Sequence, residues 1–77
     1  MSEVVSLEQK RVMNDLKELL ADIRQLTIRM AISSTPSEFE QELTAKTVLA
    51  SIISAKAEEI GVPEQDIIDL MDSELGV

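Results

Sequence analysis

Val12, Leu16, Leu19, Ile23, Leu26 and Met30 recur at alternating steps of four and three residues. That spacing keeps one edge of an α-helix apolar, and a strand, whose side chains alternate every second residue, cannot use it. Met13, Leu20 and Thr27 lie beside the seam and widen it. A widened stripe suits a helical bundle better than a two-stranded coiled coil. Ser6-Leu7-Glu8-Gln9 has the S-x-x-Q form of a capping box and predicts a helix start there. The predicted first helix covers residues 7–32, roughly 39 Å at 1.5 Å per residue. Along it, Glu8, Arg11 and Asp15 are spaced for weak surface ion pairs.

The pattern breaks at Ser33-Ser34-Thr35-Pro36-Ser37-Glu38. Thr35 is suited to an N-cap, Pro36 to the first helical position, and Glu38 completes a second capping box. A short link between two long helices implies an antiparallel hairpin. The second helix is expected over residues 36–60. Phe39, Leu43, Ala50, Ile53, Ala57 and Ile60 form one face, and Val48, Leu49, Ile52 and Ala55 spread round the other. From Val48 onward only a narrow strip of Thr47, Ser51, Ser54 and Glu58 is polar, so this part of the helix has more apolar surface than one partner helix can cover. Glu42 and Lys46 form a favourably oriented pair four residues apart.

Gly61 is the natural stop for the second helix. Pro63 opens a third helix over residues 63–74, with Glu64 and Asp66 complementing its N-terminal dipole. Ile67, Ile68, Leu70, Met71 and Leu75 supply its apolar side. So short a helix must dock to be stable, and Asp72 and Glu74 at its end oppose the dipole and favour fraying. The expected fold is all-α: one domain over residues 1–77, an antiparallel hairpin of two long helices plus a short third. It is expected to dimerise into a four-helix-type bundle. The third helix covers one side of the second, and a second copy takes the rest. The core and dimer positions are Leu16, Leu19, Leu20, Ile23, Leu26, Met30, Val48, Leu49, Ile52 and Ile53.

Charge is divided unevenly along the chain. Acids and bases balance up to Ser33, so the net charge of −8 comes from the second half, where Lys46 and Lys56 are the only bases. From Glu58 onward every charged side chain is acidic. An acidic surface of this kind is repelled by phosphate, which argues against nucleic acid as a direct partner. The second helix, the Gly61 turn and the third helix have a helix-turn-helix outline, but the third helix has no base with which to read DNA. Base stacking is disfavoured too, since Phe39 is the only aromatic residue.

Catalysis is not expected. The chain has no His, Cys or Tyr and only 2 Gly, so it lacks the usual nucleophiles, a histidine base and a phosphate-cradling loop. Glu64, Asp66, Asp69 and Asp72 lie along a helix without calcium-loop spacing, and no Glu-x-x-His motif exists for a di-metal site. No cofactor or metal is expected. Met1-Ser2-Glu3-Val4-Val5 lacks the basic start and apolar run of a signal peptide, and no stretch has the length of a membrane span. With no Cys to form disulfides, a cytoplasmic location is expected.

These features point to a small acidic interaction protein: an inhibitor, antiactivator or chaperone that binds an unidentified protein target. Glu58, Glu59, Glu64, Asp66, Asp69 and Asp72, with Ile68 and Met71, are the candidate contact residues. Charge would speed encounter with a basic target and apolar contacts would slow release. One alternative is an assembly subunit that docks through the apolar face of the second helix. Another is a mimic whose acids, Glu74 among them, imitate a phosphate row and block a nucleic-acid-binding protein. Met13, Met30 and Met71 fit ordinary core filling better than an adaptable groove.

Overall fold

A computed structural model describes residues 2–76, with side chains from residue 7 onward. Three helices follow in order: α1 (Ser2–Ile32), α2 (Ser37–Glu59) and α3 (Glu64–Leu75). No strand occurs among the described residues. The 31 residues of α1, at 1.5 Å each, set the length of a molecule measuring 52 × 20 × 16 Å between its Cα extremes.

α1 begins upstream of the predicted capping box, so Ser6 lies inside the helix; its side chain is outside the described residues. Gln9 has a different task. Its Nε2 donates to the carbonyl oxygen of Ile60 at 3.1 Å, tying α1 to the far end of α2. Lys46 and Asp22 pair at 3.5 Å near the middle of the hairpin. These two links fix the antiparallel register of α1 and α2. Lys46 thus reaches across to α1 instead of along its own helix to Glu42, and this is the only ion pair within 4 Å among the described residues.

The hairpin link begins with a hydroxyl network. Thr35 N–H donates to Ser33 Oγ at 3.0 Å, and Thr35 Oγ1 donates to Glu38 Oε2 at 2.9 Å. Thr35 and Glu38 are thus joined side chain to side chain, and Glu38 N–H donates to the Thr35 carbonyl oxygen at 3.1 Å, but the reciprocal capping box is not formed. No side-chain hydrogen bond caps the backbone of α2, whose N-cap is Pro36.

The turn after α2 is a Schellman motif. Val62 N–H donates to Ala57 O at 2.9 Å and Gly61 N–H to Glu58 O at 3.0 Å, which satisfies carbonyls that the helix end would leave open. Gly61 sits at φ +100°, a conformation that residues with a Cβ rarely adopt. The turn also buries Val62, and Ala57 beneath it is fully buried.

α3 leaves that turn and runs in the same direction as α1. Val62, Pro63 and Asp66 lie beside Gln9, Lys10 and Met13, whereas Leu75 and Gly76 lie beside Ile23, Arg24, Thr27 and Ile28. It packs chiefly on α1 and scarcely touches α2. The expected covering of α2 by the third helix is therefore wrong. The wide stripe of α1 explains the arrangement: its Leu and Ile side chains serve two neighbours, one on each side. α3 ends with Gly76 in the left-handed conformation and its N–H on Asp72 O at 3.1 Å, an αL cap.

Leu16, Leu19, Leu20, Ile23, Ala50, Ala57, Val62 and Ile67 form one continuous core, with Val12, Met13, Leu43, Ile53, Ile60, Leu70 and Met71 packed round it. Leu26 is buried as well.

Candidate interaction surfaces

Among the described residues, two of the exposed surfaces are of opposite character. The first is the side of α2 turned away from α1. Val48, Leu49 and Ile52 are 54%, 46% and 60% exposed, and Ala45 and Ala55 beside them are exposed too. At 100° per residue, Ala45, Val48, Ile52 and Ala55 make a second seam with steps of three, four and three. It lies opposite the seam that ends on Ala50 and Ala57. A shallow cleft lined by Val12, Asp15, Ile52, Ile53 and Lys56 continues the apolar surface toward α1.

The ten positions predicted for the core and dimer interface thus separate into groups. Leu16, Leu19, Leu20, Ile23 and Leu26 are buried within the single chain. Met30 and Ile53 are half-buried. Only Val48, Leu49 and Ile52 remain open to another molecule.

Charge follows the same division. Between Leu43 and Ala57 there is no acid, and Lys46 and Lys56 are the only charged residues. The acid-free segment coincides with the exposed apolar strip, in a half of the chain that is otherwise strongly acidic. Glu42, Leu49 and Lys56 form a row at steps of seven along one flank of the strip, all exposed. Sequence reading paired Glu42 with Lys46 and missed this row; the seven-residue spacing was the signal that could have revealed it.

The second surface is acidic. Glu58, Glu59, Glu64, Asp66, Asp69 and Asp72 are all exposed, and none of them forms an ion pair within the described residues. Ile68, 42% exposed, lies on α3 between Glu64 and Asp72, one turn to either side. Gln65 Nε2 donates to Asp69 Oδ1 at 2.9 Å on the same outer side. Asp66 turns to the opposite flank, toward Gln9, Lys10 and Met13. Met71 packs partly against the core. The acids are therefore not one plane: Glu64, Ile68 and Asp72 share a side, Asp66 lies on the opposite flank, and Asp69 falls between them.

No group of His, Cys, Asp or Glu among the described residues is arranged to hold a metal ion. None of the described helices is long and apolar enough to cross a membrane. Ser54 is the one described residue with a buried side-chain polar atom lacking a hydrogen-bond partner; Thr47 and Ser51, also on the polar strip of α2, bond back to Leu43 O and Thr47 O. Compared with protein-family models, curated proteins and solved structures, the chain matches none of them.

Proposed function

We propose that this chain is a non-enzymatic interaction protein of the cytoplasm, an inhibitor, antiactivator or chaperone. It self-associates through the outer side of α2 and meets a protein target with the acidic side of α3. The observation that carries the reading is the bare, acid-free strip of Val48, Leu49 and Ile52 on α2. Large aliphatic side chains gathered on one exposed helix side mark an association surface. The acids of α3 then face away from that contact, with Ile68 among them as an apolar point of attachment. Encounter with a basic target is accelerated by the acids and release is slowed by the aliphatic contact.

A second reading has the same observation behind it. The α2 strip docks into a larger assembly, and the acids only keep the free chain in solution. Affinity capture from lysate of the host, at low and high salt, separates the two when two variants are run beside the native chain. Under the regulator reading, D66K/D69K/D72K loses the captured protein and native capture weakens at high salt. Under the assembly reading, V48D/I52D loses it, D66K/D69K/D72K keeps it, and salt has little effect. Retention by both variants would sink both readings.

A further inference from the structure

We infer that the outer side of α2 pairs with the same side of a second copy, antiparallel, about a two-fold axis passing near residue 50. This rests on the self-association proposed above and gives it a definite geometry.

The seam is self-complementary. Ala45, Val48, Ile52 and Ala55 read small, large, large, small, and the order of sizes is unchanged when the direction is reversed. An antiparallel two-fold contact sets each residue against its counterpart from the other end, so along this seam large meets large and small meets small. Val48 then packs on Ile52 of the second copy, and Ala45 on Ala55 of the second copy. Alanine at both ends lets the helix axes stay close along the seam, which fits the shallow crossing of heptad-type packing.

The flanks choose the direction. In the row Glu42, Leu49 and Lys56, the central Leu49 meets itself across the axis, and Glu42 falls opposite Lys56 of the second copy. The two-fold makes this ion pair twice. Parallel pairing would instead turn this row onto the Thr44, Ser51 and Glu58 flank of the second copy, and both ion pairs would be lost. On the other flank the corresponding row is Thr44, Ser51 and Glu58, which opposes Thr44 to Glu58 without a like-charge contact.

The fold keeps the acids of α3 out of the way. α3 is docked on α1 and scarcely touches α2, so the acidic helices lie far from the α2 seam. The arrangement is a layer, with the two α2 helices side by side in the middle and each α1 behind its own α2. It is not the square four-helix bundle that the sequence pattern suggested, because the bare strip lies opposite the α1 contact. The five apolar residues of this contact, on one helix, make a patch smaller than the ~800 Å² per partner of a standard interface, so the dimer dissociates on dilution.

The chain has no cysteine, so single introduced thiols report unambiguously on this contact. Both Ala45 and Ala55 are exposed, and A45C and A55C should fold as the native chain does, checked by helical circular dichroism. In the antiparallel dimer, position 45 lies beside position 55 of the other copy. Positions 45 and 45 are about 15 Å apart along the axis, beyond the ~4 Å Cβ–Cβ separation that a disulfide bridges. Mild oxidation of an equimolar A45C and A55C mixture should give the mixed covalent dimer, while neither variant alone cross-links. Sedimentation equilibrium of the unmodified chain from about 1 to about 500 μM, a range that reveals weak dimers, is run in parallel. K56E should weaken the dimer roughly threefold to tenfold, and E42K/K56E should recover it. Covalent A45C homodimers would overturn the antiparallel direction. A dimer by mass that yields no 45–55 link overturns the register and leaves self-association standing. Monomers at every concentration overturn both.

Discussion

α1 and α2 place their large aliphatic side chains in opposite ways. α1 buries Leu16, Leu19, Leu20, Ile23 and Leu26, whereas the buried residues of α2 are Ala50 and Ala57. The Val48, Leu49 and Ile52 side chains of α2 face solvent. In a helix stabilised only by its own chain, large apolar residues belong on the covered side. Here the alanines allow α2 to lie close on the leucines of α1, Leu43 and Ile53 pack at the edge of that contact, and Val48, Leu49 and Ile52 are held outside, where nothing among the described residues covers them. The difference teaches that α1 maintains the fold and α2 carries the contact surface.

The strongest way to break that comparison is to empty the core side. Leu16 is fully buried at the centre of the cluster. Truncation of a buried leucine costs about 3–5 kcal/mol, part transfer and part cavity. A domain of this size has total stability of order 5 kcal/mol, so L16A should keep only about 0–2 kcal/mol and be partly unfolded at room temperature. Urea titration followed by helical circular dichroism tests it. A loss below about 1 kcal/mol would mean that α1 does not anchor the core.

A smaller effect is expected from filling the alanine contact. Ala50 is almost fully buried where α2 meets α1. A50L must force the helices apart or strain its rotamer, at a cost of about 1–3 kcal/mol. Thermal unfolding should show the fall in Tm. If the leucine is accommodated without loss, α2 does not lie close on α1 and the contrast between the helices fails.

The helices themselves were legible because local rules determine them. Seam spacing named Leu16, Leu19, Leu20, Ile23 and Leu26, and Gly61 announced the end of α2. The start of α1 was not legible: Ser6 and Gln9 have capping-box spacing, but the helix begins at Ser2 and Gln9 serves Ile60 instead. That bond joins positions distant in sequence, and no local rule encodes it. The docking of α3 on α1 was equally hidden. Its apolar side, Ile67, Leu70 and Met71, fits either long helix by composition alone, and tertiary geometry decides between them. Of the candidate surfaces, the acids could be read residue by residue. Their division, with Asp66 on one flank and Glu64, Ile68 and Asp72 on another, depends on how α3 is rotated against α1.

The smallest expected effect sharpens the comparison most. Val48 is 54% exposed on α2, and V48S exchanges one residue for another of nearly equal helix propensity. The monomer loses little by it, within about 0.5 kcal/mol, as is usual for surface substitutions. A dimer that packs this residue loses the burial of the branched side chain twice, once in each copy. Because association stabilises the folded state by mass action, the native chain should melt at a higher temperature as its concentration rises. V48S should match the native chain in dilute solution and fail to gain with concentration. Equal concentration dependence in the two would show that Val48 lies outside any contact between copies. A large loss in dilute solution would show instead that Val48 belongs to the fold, and the distinction between α1 as support and α2 as contact surface would collapse.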